Sequence, residues 1–207
     1  MATSTKFWDK IADKYSKQPI ADEASYQKKL QVTQEYFKPD MEVLEFGCGT
    51  GSTAITHAPH VKQIRAIDIS SEMIKIAQGK VEAQGIENIT FEQLTIEKLE
   101  VEDSTYDAVL GLSILHLLEN KESAIAKVYQ MLKPGGIFVT STMCMGDTMG
   151  CFKLIAPIGK ALGFFPLVKV FSAQDLIESL TDAGFEIEYR WQPSKDKAIF
   201  IVAKKPE

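Results

Sequence analysis

The sequence predicts an α/β fold, a mostly parallel β-sheet with helices on both faces, in a single domain over residues 1–207. Two observations carry this. The first is the apolar run Val43, Leu44 and Phe46, which ends in glycines at alternate positions, Gly47, Gly49 and Gly51, and leads into Ser52-Thr53-Ala54-Ile55. That is a strand, a glycine turn and a helix start. The glycines let the chain turn sharply and let a ligand lie against the backbone, while the helix's free N–H groups favour a carboxylate or phosphate. The second is the alternation, along the rest of the chain, of short β-rich runs with longer helical patterns.

Two amphipathic helices precede the first strand. Phe7, Trp8, Ile11 and Tyr15 recur at helical spacing, as do Tyr26, Leu30, Thr33 and Phe37, with a turn at Gln18-Pro19 between them. Pro39-Asp40 then introduces a strand over Met41 to Phe46. A second strand runs from Gln63 to Ile67 and ends at Asp68. Ser71 to Gln84 reads as a helix, capped by Ser70 or Ser71 and stopped by Gly85. Asn88 to Leu94 is a third strand and Tyr106 to Gly111 a fourth. A helix from about Lys121 to Leu132 stops at Lys133-Pro134-Gly135-Gly136, ahead of a fifth strand over Ile137 to Thr142.

Met143 to Val170 is too long for a plain connection and is rich in Met, Phe, Leu and Ile. It is expected to form an apolar cap insertion at about 143–170. It either lines a substrate pocket, packs on the N-terminal helices, forms a dimer interface or touches a membrane surface. Phe171 to Ala183 is a helix with Ser172 at its cap and Asp175 three residues on, ended by Gly184. Phe185 to Trp191 and Ala198 to Ala203 are close enough to pair as an antiparallel hairpin around Pro193-Ser194.

The net charge of −5 and the presence of only two arginines, Arg65 and Arg190, argue against nucleic acid as a partner. Cys48, Cys144 and Cys151 form no C-x-x-C pair, which fits a reducing cytoplasm. No His, Cys and carboxylate cluster has metal-ligand spacing, so no metal is expected. The start of the chain lacks an apolar signal core, and Pro157, Lys160, Pro166 and Lys169 interrupt the longest apolar stretch. A soluble, cytoplasmic protein without integral membrane association is expected, its oligomeric state open.

The glycine spacing separates the nucleotide classes. A dinucleotide fingerprint places its third glycine one residue later, where this chain has Ser52, and no Gly-Lys-Ser/Thr follows as a Walker A loop requires. Glu45-Phe46-Gly47-Cys48-Gly49-Thr50-Gly51 instead resembles motif I of the class I S-adenosylmethionine (SAM)-dependent methyltransferases, with Glu in place of the commoner Asp. Leu132-Lys133-Pro134-Gly135-Gly136 resembles the turn before their fifth strand, and Tyr106-Asp107-Ala108-Val109 their fourth strand. Phe7-Trp8-x-x-x-Ala12-x-x-Tyr15 resembles the F/W-D-x-x-A-x-x-Y opening of many small-molecule members. The resemblance covers roughly residues 5 to 205 and implies a Rossmann-like seven-stranded sheet of order 3-2-1-4-5-7-6, its last strand antiparallel, with N-terminal helices over 5–37.

It also implies a cofactor site for SAM made by Glu45, Gly47, Cys48, Gly49 and Gly51. Tyr15 stands where the family's tyrosine reaches the methionine end; the other reading of Tyr15 is ordinary core packing. Asp68 ends the second strand about 17 residues past the loop, where a carboxylate accepts hydrogen bonds from both ribose hydroxyls. Its alternative role is to cap the next helix. Ile69 and Met73 would flank the adenine, Met73 equally serving as core. The family often has an Asp after strand three; here Thr95 and Ile96 occupy that region. Leu112 and His116 follow the fourth strand, at the end of a parallel sheet where ligands bind.

Methyl transfer from a sulfonium asks mainly for positioning, with a general base only where the acceptor loses a proton. His116 is the candidate base, since imidazole titrates near neutrality; it also reads as a packing residue within Leu115-His116-Leu117-Leu118. His57 and His60 read as surface positions at a helix end. The leading expectation is a SAM-dependent methyltransferase acting on a small, partly apolar molecule, similar to the branch that includes quinone-biosynthesis enzymes. The alternatives are a non-catalytic SAM-binding regulator and a nicotinamide-dependent oxidoreductase.

Overall fold

Seven strands are hydrogen-bonded in one sheet of order β3-β2-β1-β4-β5-β7-β6, as expected from the sequence. The computed structural model describes residues 2–147 and 167–207. Chain contacts divide it into two compact units, Met1–Glu100 and Val101–Glu207.

In the first unit, α1 (Ala2–Ser16) and α2 (Glu23–Glu35) precede β1 (Glu42–Phe46), α3 (Ser52–His57), β2 (Gln63–Asp68), α4 (Ser71–Gln84) and β3 (Ile89–Gln93). β1 pairs parallel with β2, Phe46 opposite Ile67, and β2 pairs parallel with β3, Asp68 opposite Gln93. β1 is buried from Val43 to Phe46, and in β2 Ile64, Ala66 and Ile67 are buried around half-buried Arg65. The outer strand β3 alternates instead, with Ile89 and Phe91 buried, Thr90 exposed and Glu92 half-buried. Helix α4 has the expected bounds. Ser70 accepts a hydrogen bond from the Met73 N–H at its start, and Gly85 closes its end.

In the second unit, β4 (Tyr106–Leu112) is followed by α5 (Lys121–Met131), β5 (Leu132–Thr142), α6 (Ala173–Asp182), β6 (Glu186–Trp191) and β7 (Ile199–Lys204). β4 and β5 are parallel; β7 is antiparallel to both β5 and β6. Helix α6 carries the predicted capping box, Ser172 accepting from the Asp175 N–H while Asp175 accepts from the Ser172 N–H.

One boundary differs from the sequence reading. Lys133-Pro134-Gly135-Gly136 does not separate helix from strand, because β5 already starts at Leu132. The Gly135 N–H donates to the Lys205 carbonyl, and the Lys205 N–H to the Gly136 carbonyl, so the ladder runs through the turn residues. The register against β4 then slips, Tyr106 facing Leu132 but Ala108 facing Ile137. The apolar segment expected as a cap lies, over residues 148–166, outside the described residues. Among the described residues no helix is long and apolar enough to cross a membrane.

Candidate active site

The glycine loop is fastened to the end of β2. Gly47 and Cys48 N–H groups both donate to the Ile67 carbonyl, at 2.8 and 3.1 Å, and Gly51 N–H closes a turn onto the Cys48 carbonyl at 3.0 Å. The Asp68 carboxylate then joins the loop to the next helix. Its Oδ2 accepts from Gly49 N–H and its Oδ1 from Ser70 N–H, each at 2.9 Å. Asp68 is 9% exposed, and burial raises its pKa despite those backbone N–H groups.

Two glycines of the loop do different work. Gly51 has φ +74°, and a Cβ there would lie 2.6 Å from Phe91 Cζ and 2.9 Å from Ala77 Cβ, so it is required by packing within the fold. Gly49 has φ +53°, but a Cβ would meet nothing nearer than Tyr15 Cε1 at 4.0 Å. The space above Gly49 is open. Tyr15, 48% exposed on α1, borders it and leans edge-on against Trp8 with centroids 6.3 Å apart. The Tyr15 hydroxyl pKa is raised, first by partial burial, then by the charges of Asp68 and Tyr26.

Glu45 is the second carboxylate here. It is only 3% exposed, and the Ala54 N–H in the first turn of α3 donates to it. That bond replaces the side-chain cap that Gly51, at the N-cap position, cannot supply. Its Oε2 is buried without a hydrogen-bond partner among the described residues. Burial, and then the neighbouring Asp68, push the Glu45 pKa up to about 8. The Cys48 thiol is buried beside these carboxylates; burial and both charges push its pKa well up, so it stays a thiol rather than a thiolate.

Two supporting residues were not singled out by sequence reasoning. Asp9, the acidic position of the opening segment on α1, accepts from Ser70 Oγ at 2.7 Å and Glu72 N–H at 3.3 Å, so it pins α1 to the start of α4. Its signal was the Asp in the motif that Phe7-Trp8 opens. Lys80 on α4 donates to the Thr50 carbonyl, Thr50 Oγ1 and Ser52 Oγ at 2.9, 3.0 and 3.1 Å, bracing the loop from behind. No local pattern marks it.

The structure thus brings together Tyr15, Glu45, Gly47, Cys48, Gly49, Gly51 and Asp68. Ile69 follows Asp68 and is half-buried, whereas Met73 is buried in the core face of α4. Thr95 Oγ1 accepts from the Lys98 N–H at 3.3 Å in the turn after β3, and Ile96 is buried. In the second unit, half-buried Leu112 ends β4, and His116 lies in the short helical turn Leu115–Leu117. The Lys169 N–H donates to the His116 carbonyl at 2.7 Å. His116 Nδ1 has no partner among the described residues, and burial lowers the ring's pKa to about 4. This corrects the expectation that His116 titrates near neutrality. A second correction concerns His57, which is 0% exposed rather than at the surface. The Phe37 ring meets it edge-on at 5.1 Å, and Gln34 Nε2 lies 3.4 Å from its Nδ1. Among the described residues, no group of three or more His, Cys, Asp or Glu is placed to hold a metal ion.

A family model described as a methyltransferase domain matches residues 37–200. The uncharacterized methyltransferase YcgJ of Bacillus subtilis is 29% identical over 102 residues, covering 49% of this chain and 40% of that protein. The ubiquinone biosynthesis O-methyltransferase of Rickettsia canadensis is 30% identical over 153 residues, covering 72% of this chain and 64% of that protein. The chain therefore spans less than two-thirds of either curated relative. The crystal structure of Bacillus subtilis YcgJ superposes with a TM-score of 0.73 at 17% identity, over 87% of this chain and 99% of that one, and shares the fold.

Proposed function

The chain belongs to the class I SAM-dependent methyltransferase family, and on that premise we propose that it transfers a methyl group from SAM to a small, partly apolar acceptor. The observation that carries this reading is the pairing of an open backbone cradle at Gly49 with a buried carboxylate oxygen, Glu45 Oε2, that lacks a partner among the described residues. A buried polar atom of that kind is costly unless a ligand satisfies it. SAM offers a matching group, since the ammonium of its methionine end donates to a carboxylate. In this reading Glu45 holds that ammonium, and the Gly47–Gly51 backbone lies along the methionine portion beside Tyr15. The free lone pairs of Asp68 accept from the ribose hydroxyls. Ile69 and the turn at Thr95 and Ile96 border the adenine, and Met73 supports it from the core.

When bound, SAM would supply an activated methyl group on its sulfonium, whose sulfur would leave as a neutral thioether once the acceptor had taken the methyl. What falls to the chain is holding donor and acceptor in line and keeping water out. Where the acceptor atom carries a proton, His116 is assigned to receive it. With a pKa of about 4 the imidazole is neutral at pH 7 and a weak base. A base this weak takes the proton only as the acceptor–CH₃ bond forms and the oxygen being alkylated, as in a phenol or enol, turns strongly acidic. The name of the Rickettsia relative, an O-methyltransferase, supports oxygen as the acceptor atom.

Calorimetric titration with SAM, and separately with NADH, tests the reading. Dissociation constants in the micromolar range are expected for SAM, roughly −8 kcal/mol, and no heat with NADH. Silence with SAM, or binding of NADH instead, overturns it. His116→Ala is then expected to lower kcat on a phenolic acceptor while leaving SAM affinity unchanged.

A further inference from the structure

A cavity of about 460 Å³ lies wholly within the second unit, between the start of α6 and the β6–β7 hairpin. Ala173, Ile177, Trp191 and Ile199 give it apolar walls, and Arg190 and Lys195 stand on its border. We propose that this cavity binds a small organic carboxylate, its apolar body on Trp191 and Ile177 and its charge on Arg190 and Lys195.

The charge pattern carries the argument. The chain has a net charge of −5 and two arginines. Arg65 is committed to Glu92 through two hydrogen bonds of 2.8 Å. Arg190 and Lys195 have no ion pair among the described residues, and both border the cavity. Asp147 is the acid of the lining, its Oδ2 accepting from the Ala173 N–H at 2.8 Å, so the lining carries two basic side chains to one acidic. Gln192 is tied to the Lys197 carbonyl and Gln174 to Glu178. Asp175 is held in the capping box of α6, so the N–H groups of Ser172, Ala173 and Asp175 at the helix start are already bonded within the chain. The carboxylate of Glu188 shares the exposed side of β6 with Arg190, two residues along, but does not line the cavity. That leaves a lining in which two cationic side chains, Arg190 and Lys195, accompany Trp191, Ile177 and Ile199, a set that matches a planar carboxylate on an apolar body.

The cavity's place in the sheet gives it a use. Ile199, on its wall, pairs with Thr142, the last residue of β5, so the cavity opens at the carboxyl end of that parallel strand. Ligands of open α/β sheets bind at that end. Its role as a subsite for the acceptor's carboxylate rests on the methyl-transfer reading; its capacity to bind a carboxylate does not.

Octanoate, with octanamide as its neutral match, probes the cavity in calorimetric titrations of the full chain. One saturable octanoate site is expected, with octanamide at least tenfold weaker. Arg190→Gln is expected to weaken octanoate at least tenfold and Lys195→Gln at least threefold, with thermal unfolding and SAM affinity unchanged. Equal affinity for octanoate and octanamide, no saturable octanoate binding, or full affinity in both variants overturns the proposal. A protein that binds SAM but not octanoate refutes the carboxylate site alone. One that binds octanoate but not SAM refutes the methyl-transfer reading alone.

Discussion

Alanine placed at Gly49 and at Gly51 separates the ligand cradle from the packing that supports it. Both glycines lie in the left-handed region, at φ +53° and +74°, which costs an L-residue about 1–2 kcal/mol. At Gly49 little else opposes the methyl, whose nearest neighbour is Tyr15 Cε1 at 4.0 Å. At Gly51 the methyl lands 2.6–2.9 Å from the Phe91 ring and Ala77 Cβ, adding an overpacking cost of about 1–3 kcal/mol. The totals are about 1–2 kcal/mol for Gly49→Ala and about 2–5 for Gly51→Ala. For a chain of this size each kcal/mol lowers Tm by roughly 2–4 °C. Scanning calorimetry should therefore show a fall of about 2–8 °C for Gly49→Ala and a larger one for Gly51→Ala. The order of effects on SAM reverses in the folded proteins, because the new methyl of Gly49→Ala projects into the space assigned to the ligand. At least a tenfold loss of affinity, about 1.4 kcal/mol, is expected from titration of that variant. Wild-type affinity in Gly49→Ala would place the ligand elsewhere. Equal stability of the two variants would show that the Phe91 and Ala77 contacts yield freely.

Asp68→Asn keeps one acceptor oxygen and loses the charge, so SAM affinity should fall by about 1.5–3 kcal/mol. An unchanged titration would leave Asp68 as a loop fastener only. Glu45 has its pKa raised from 4.5 to about 8, so between those values the unfolded chain releases a proton that the fold retains. Folding stability from this site is therefore fully present below about pH 4.5 and is lost as pH rises towards 8. Urea midpoints of wild type and Glu45→Gln should diverge across that window in favour of the variant; a constant difference from pH 5 to 8 would refute the burial of a proton there. His57 behaves oppositely, its pKa lowered from 6.5 to about 4 by burial and then by His60. Its stability contribution is present above pH 6.5 and is lost as pH falls towards 4. His57→Leu should flatten that acid limb in part, since His116 titrates over the same range. An acid limb of unchanged slope in the variant would show that His57 is not the group being protonated.

Where a local signal dictated the structure, the sequence was readable. Helix α4 has its predicted bounds because Ser70 and Gly85 mark its two ends chemically. The capping box of α6 was legible for the same reason. Asp68 and the glycine loop were placed by spacing alone. What escaped was set by contacts distant in sequence. His57 stands at a helix end just before Pro59, which reads as surface, yet Gln34 of α2 and Phe37 just beyond that helix enclose it. Pro134-Gly135-Gly136 carries strong turn chemistry, yet bonds to Lys205, at the far end of the chain, draw it into β5. Asp9 and Lys80 look like solvated positions on amphipathic helices. Their roles exist only once α1 and the loop are docked on α4.

The carboxylates also bear on which nucleotide the loop accepts. A loop that cradles a pyrophosphate presents free N–H groups to an anion. Here the N–H groups of Gly47 and Cys48 are spent on the Ile67 carbonyl, that of Gly49 on Asp68, and that of Gly51 on the Cys48 carbonyl. The Ala54 N–H of α3 is spent on Glu45. A dinucleotide's phosphates would find two buried acids in place of donors. The same pair of acids, both opposed by burial and Glu45 further by Asp68, gains from a ligand that brings an ammonium to Glu45 Oε2. Electrostatics as well as glycine spacing therefore set this loop against NADH and towards a cationic nucleoside.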